Sequence, residues 1–254
     1  MTETSSTPPP PLEPLSEDWE RMLCVVAHPD DLEFGAAAAV ARWTGQGKQV
    51  AYCMVTSGEA GIDGLEPEKS RGVREQEQIT SAQLVGVDEV EFLRLPDGVL
   101  EYGVDLRRSI AAVVRMYRPE IVVTGNFRDS FGEGGGLNQA DHIATGRAVL
   151  DAVRDAGNRW VFRDQVEAGG LEPWGGVREV WAAASPLARH GVDITDTFDA
   201  GVASLEAHRA YIDGLGWEDF DPAEFLEGMS RATGQRMGVA HATAFEVFSL
   251  GWGG

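Results

Sequence analysis

Cysteine is scarce: Cys24 and Cys53 are the only two in 254 residues, and each sits inside an apolar run. That leads us to expect two buried, unpaired thiols in preference to a disulfide or a metal pair. No stretch approaches the ~20 consecutive apolar residues needed to cross a bilayer as a helix. The first eighteen residues, MTETSSTPPPPLEPLSED, lack both the basic and the apolar regions of a secretory signal. They read as a flexible, Pro-rich leader over residues 1–18, and a cytoplasmic location is expected. Basic residues are also few, 21 against 41 acidic, leaving a formal charge of −20. A surface so negative disfavours nucleic acid and anionic membrane surfaces as partners.

What is present is a core. Apolar residues make up 43% of the chain, with seven Trp and ten Phe among them, so the acidity is not that of a disordered polymer. Short β-branched runs at 22–27, 49–56, 89–93 and 121–124 alternate with helical stretches at 32–46, 67–84, 105–117 and 141–155. Weaker strand signals follow at 177–183 and 192–195, then a helix at 197–213. Strand–helix alternation predicts an α/β fold, Rossmann-like, with a mainly parallel sheet covered by helices on both faces. No internal repeat or compositional shift interrupts residues 19–254, which read as one domain.

In such a sheet, chemistry collects on the loops leaving the carboxyl ends of the strands. His28-Pro29-Asp30-Asp31 directly follows the first strand, and a sharp turn there lets His28 and Asp31 point at one centre. Two ligands are half a metal site, since a catalytic zinc takes about three protein ligands and leaves a position open. The best third candidate is His142, which follows a glycine-rich loop after the fourth strand and opens a helix, with Asp141 beside it as a second-sphere acceptor. A plainer reading also stands: Asp31 and Asp141 as helix N-caps, and Ser57-Gly58-Glu59-Ala60-Gly61 as a turn. His190 and His208 read as surface or packed histidines, His241 is left open, and Trp160, Trp174, Trp181 and Trp217 read as core or interface. No Gly-x-Gly-x-x-Gly follows the first strand, which speaks against a nicotinamide-dinucleotide enzyme.

The string Val26-Ala27-His28-Pro29-Asp30-Asp31-Leu32-Glu33 resembles the signature of the LmbE-like (PIG-L) zinc-dependent N-deacetylases, which include the GlcNAc-phosphatidylinositol de-N-acetylase and the mycothiol and bacillithiol pathway enzymes. The similarity continues at Thr56-Ser57-Gly58-Glu59-Ala60-Gly61, Arg74-Glu75-Gln76-Glu77, Leu95-Pro96-Asp97-Gly98, Asp141-His142 with Ala144-Thr145-Gly146, and Val192-Asp193-Ile194-Thr195. It reaches the helix holding His208-Arg209, and so covers roughly residues 22–215. The resemblance implies a Rossmann-like fold, a zinc ion held by His28, Asp31 and His142, and Asp30 as general base. It implies a small N-acylated substrate, such as an N-acetylated amino sugar, contacted by Arg74 and Asp97. The plainer alternatives for these two are a helix-surface ion pair and a β-turn aspartate. Members of the family often form homo-oligomers.

Two positions depart from the family pattern. Where it often carries a histidine three residues before the last ligand, this chain has Gln139, and where some members place a tyrosine, it has Leu137. An amide donates a hydrogen bond to an oxyanion but does not exchange a proton near neutral pH. Gln139 is therefore expected to stabilise charge, with Asp30 returning the proton to the leaving amine or His241 recruited to help. A zinc-containing binding protein of the same fold, with little chemistry, is the rival reading.

Overall fold

The computed structural model describes residues 10–132, 134–217 and 219–251. Eight strands among them form one sheet: β1 (Glu13–Pro14), β2 (Arg21–Val26), β3 (Gln49–Met54), β4 (Glu89–Phe92), β5 (Ile121–Thr124), β6 (Glu179–Ala183), β7 (His190–Asp193) and β8 (Ala242–Ser249). Their order is β1-β7-β8-β6-β5-β2-β3-β4. Every pairing is parallel except those of β8, which runs antiparallel between β6 and β7. The α/β, mainly parallel expectation therefore holds.

The central strands are apolar at nearly every position because helices cover both faces. Met22, Cys24 and Val26 of β2 face one cluster, while Leu23 and Val25 face the other. On the first face lie α1 (Ala37–Gly45) and α2 (Pro67–Leu84), and on the second α3 (Val104–Tyr117) and α4 (Ala140–Gly157). The two thiols are buried on opposite faces, Cys24 with the first cluster and Cys53 with the second. Trp43 and Trp181 are both 0% exposed, and the Trp19 ring meets them edge-on at 5.5 and 6.2 Å. That packing fills the centre of the first face.

β2 connects through α1 to β3 on one side, whereas β5 lies on its other side, so the direction of winding reverses between β2 and β5. The loops leaving these two strands diverge at that point and open a crevice at the carboxyl edge. The residues after β2 include His28, and those after β5 lead to His142.

Two expectations need correction. Residues 1–9 lie outside the described part, but residues 10–18 are not a free leader: β1 pairs with β7, Leu12 and Leu15 are buried, and Glu17 accepts hydrogen bonds from Arg42, Trp43 and Gln46. The apolar pair Leu12 and Leu15 is what ties this Pro-rich segment down. The expected helix at 197–213 is broken into α6 (Phe198–Glu206) and α7 (Arg209–Gly214), because His208 turns inward to Glu33 and is 0% exposed. Finally, α5 (Arg163–Glu167), α8 (Pro222–Gln235) and β8 had no sequence expectation at all. No helix among the described residues is long and apolar enough to cross a membrane.

Candidate active site

The turn after β2 brings His28 and Asp31 together: Asp31 Oδ2 accepts the His28 backbone N–H at 2.9 Å. Asp30 between them has φ +85°, a left-handed conformation that Asp tolerates better than most residues. His142 enters from the first turn of α4, and its Nε2 lies 3.0 Å from Asp31 Oδ1 and 3.2 Å from His28 Nδ1. Asp31 is not the N-cap of α1, which begins at Ala37 with no side-chain cap. Nor does Asp141 cap α4; its carboxylate accepts the Gly98 and Leu100 N–H groups at 2.8 and 3.0 Å.

The outer partners fix which ring nitrogens carry protons. His142 Nδ1 lies 2.9 Å from Asn138 Oδ1, an acceptor, so this nitrogen donates and Nε2 presents a lone pair. His28 Nε2 lies 3.1 Å from Asp97 Oδ1 and 3.4 Å from Asp141 Oδ2, so Nδ1 presents the lone pair. Two lone pairs and an Asp31 carboxylate oxygen thus converge, all within 4.8 Å of one another. Lone pairs facing each other without a proton between them are satisfied by a cation, and a two-imidazole, one-carboxylate set suits zinc. His28, Asp97 and Asp141 make a second grouping of ligand-type atoms, but there the carboxylates act on the far nitrogen of the same ring.

The same contacts set the charge balance: the carboxylates favour positive charge at these rings, carried either by a proton or by a cation between them. Burial alone would depress both histidines, yet Asp141 and Asp31 hold His28 well above its ordinary value, and Asp31 raises His142. Burial works against the Asp31 anion, but His142 and His28 overcome it and keep this carboxyl far below the usual range. Asp30 behaves oppositely: burial pushes it up to about 6 in spite of the Arg74 guanidinium. Two adjacent carboxylates are thereby shifted in opposite directions.

Arg74 and Asp97 do not stand where substrate contacts were expected. Arg74 is 1% exposed, donates to Asp30 Oδ2 at 3.0 Å and to the Pro29 carbonyl at 2.7 Å, and lies under the Tyr211 ring at 3.6 Å. It is neither a surface ion pair nor open to the cavity. A Cβ at Gly58, where φ is +63°, would lie 2.8 Å from its Nε, so the turn after β3 needs glycine to let this side chain pass. Asp97 accepts the Ala60 N–H at 2.7 Å and sits behind His28. Arg74 thus holds the Asp30 carboxylate, and Asp97 the His28 ring.

The cluster opens into a cavity of about 490 Å³ lined in part by Asp30, Asp31, His142, Gln139 and Tyr211. Leu137, at the position where some family members carry tyrosine, is 84% exposed. Tyr211 of α7 brings a phenol to the cavity instead, its pKa raised by burial and by the Asp30 charge. His241 does not line this cavity; it stacks on Phe198 at 4.3 Å and bonds Ser230 at 2.9 Å, so it is not the recruited donor. His190 lies in β7 near Glu13. Sequence reasoning missed Tyr211, Asn138 and Gln78, whose Oε1 accepts the Asp30 N–H at 2.9 Å. It also read Trp217 as core or interface, whereas this ring lines the cavity and is 55% exposed. The nearness of Tyr211 to the His208-Arg209 motif was the one available signal.

Residues 23–153 match the GlcNAc-PI de-N-acetylase (PIG-L) family model. The chain is 28% identical to a diacetylchitobiose deacetylase of Thermococcus kodakarensis over 227 residues, covering 89% of this chain and 82% of that one. It is 34% identical over 191 residues to the 1D-myo-inositol 2-acetamido-2-deoxy-alpha-D-glucopyranoside deacetylase of Kineococcus radiotolerans, covering 61% of this chain and about half (49%) of that relative. The fold is similar to that of the N,N'-diacetylchitobiose deacetylase from Pyrococcus horikoshii, with a TM-score of 0.83 at 23% identity, covering 92% of this chain and 85% of that one.

Proposed function

The chain belongs to the GlcNAc-PI de-N-acetylase (PIG-L) family, and from that membership we propose that it is a zinc-dependent N-deacetylase hydrolysing a linear amide on an N-acetylated amino sugar or a closely related small molecule. The observation that carries this reading is the convergence of two imidazole lone pairs and a carboxylate beside Asp30, in one cavity. The named relatives are deacetylases of acetamido sugars, which supports the substrate class and leaves the non-catalytic rival without a favouring observation.

His28, Asp31 and His142 would hold the ion. When bound, zinc lowers the pKa of water and polarises a carbonyl oxygen. Asp30 is the general base: Arg74 engages its Oδ2, leaving Oδ1 to take a proton from the attacking water. The water oxygen bonds to the acyl carbon, the C–N bond breaks, and the proton held on Asp30 passes to the departing nitrogen, giving a free amine and a carboxylic acid that releases its proton to solvent. Gln139 and Tyr211 line the cavity as neutral donors to the oxyanion. Asn138, Asp97 and Asp141 keep both imidazoles in the ligating tautomer.

The test is free-amine release from a panel of N-acetylated amino sugars by zinc-loaded protein, together with metal content. We expect about one zinc per chain and turnover of at least one acetamido sugar. Zinc binding without turnover of any panel member would restore the non-catalytic reading, and no zinc binding would remove His28, Asp31 and His142 as a ligand set.

A further inference from the structure

The catalytic cavity is lopsided. Its floor is polar, while its outer wall comprises Phe34, Phe131, Trp217, Phe225 and Met229. Phe131, Phe225 and Met229 are 47%, 38% and 42% exposed, so large apolar side chains stay open around the reactive floor when burial was the cheaper alternative. The wall is preformed: Phe34 meets Phe225 edge-on at 5.6 Å, and Trp217 meets Phe220 at 5.2 Å. A second cavity of about 290 Å³ adjoins the first and shares Phe34, Gly35, Phe131, Ala184 and Met229 with it. It runs on from the shared residues past α8 toward Ile194 and Phe198.

The charges along this route are committed elsewhere. Glu33 is 1% exposed and accepts from Gln78 and Ser81, and Arg236 donates to the Pro10 and Ala188 carbonyls. Among the described residues, no Lys or Arg lines the catalytic cavity, so a phosphate or carboxylate on the substrate meets no counter-charge there. Arg74 and Asp97, which would have held sugar hydroxyls, face inward. Beyond the scissile position, the remaining recognition surface is mostly apolar.

We propose that the two adjoining cavities together form a subsite for an apolar chain attached to the substrate near its scissile amide. Its position relative to the amide rests on the deacetylase reading above. The shared chemistry has two sources, an alkyl aglycone on an N-acetylated sugar or a long N-acyl chain on an amino sugar. The continuity of the apolar wall with the catalytic floor is what assigns this surface to substrate.

Two series of substrates test this with zinc-loaded protein, each below its micellar concentration: alkyl glycosides of N-acetylglucosamine, and N-acylglucosamines of increasing chain length. In one series kcat/KM should rise by roughly two- to fourfold per added methylene until the groove is filled. Which series rises identifies the source. Met229→Lys, on the shared wall, should flatten that slope; because a slope is compared within one protein, a general loss of activity does not imitate it. Turnover of N-acetylglucosamine with a flat slope in both series overturns the subsite and leaves the deacetylase reading standing. If nothing is turned over, titration calorimetry with alkyl glucosides lacking the amide decides: affinity rising with chain length supports the subsite, and affinity independent of length overturns it. A flat slope in the native chain, with a Met229→Lys variant that changes oligomeric state in sedimentation, makes the wall a contact between copies and overturns the proposal.

Discussion

The floor of the cavity is built from charged groups fixed by hydrogen bonds, whereas its outer wall is built from side chains that have shape but little polarity. Asp30 is fixed by Arg74 and Gln78, and His142 by Asn138. Trp217 packs against Phe220, and Phe225 against Phe34. Directional bonds fix an atom to a fraction of an ångström, as hydrolysis needs. Apolar contact tolerates shifts in shape, as adaptation to different substrates needs. The contrast separates a rigid polar floor from an adaptable apolar wall within one cavity.

The largest effect that would break this division is on rate. Asp30→Asn keeps a residue that tolerates the left-handed backbone but removes the proton acceptor, so turnover should fall by about 10²–10⁴-fold with zinc retained. Near-native turnover in that variant would move the base elsewhere. Next in size is stability: Trp181→Ala, 0% exposed in the first core, should cost about 3–5 kcal/mol. Trp217→Ala, 55% exposed, should stay within about 0.5 kcal/mol while altering substrate preference. Equal losses in chemical denaturation would erase the distinction between a structural and a selective tryptophan.

A smaller effect concerns the supports. Asp141→Ala should weaken zinc binding by about 10–100-fold in a chelator competition, because it frees both His28 and the Gly98–Leu100 turn. Unchanged affinity would leave Asp97 as the partner that orients His28. The smallest is a pH effect far from the site. Burial would raise Glu17, but hydrogen bonds from Arg42, Gln46 and Trp43 take it below its ordinary 4.5. A depressed carboxyl stabilises the fold above its unfolded pKa and loses that contribution as pH falls through its folded value. Glu17→Gln should therefore flatten the loss of stability below about pH 4.5, measured by thermal melts across that range. An unchanged acid profile would detach residues 10–18 from the core's stability.

Much of the first half was legible because local pattern and chemistry coincide there. The buried run ending at Ala27 is followed at once by His28, and strand alternation alone placed the loops after β2 and β5 on one edge. The orientation of Arg74 was not legible, because a helix position does not say whether its side chain crosses to Asp30 or faces the cavity. The break at His208 depends on Glu33, 175 residues earlier in the chain, and no local signal encodes it. β8 carries Glu246 within an apolar strand, paired with Arg128 and Ser185 in three dimensions, which blurs its alternation in sequence. Leu12 and Leu15 were masked by the prolines around them.

The antiparallel placement of β8 has a consequence for how the molecule is made. β6 and β7 do not pair with each other; residues 242–249 join them, and β1 is attached only through β7. On a ribosome, the parallel strands from β4 to β6 emerge well before this joining strand, leaving one flank of β6 with unpaired N–H and C=O groups until synthesis has passed residue 249. The segment around Glu13 and Pro14, among the earliest to leave the tunnel, is then among the last to find its place. A nascent chain stalled in α8 would thus carry the His28, Asp31 and His142 cluster on a sheet whose open edge is free to recruit another chain.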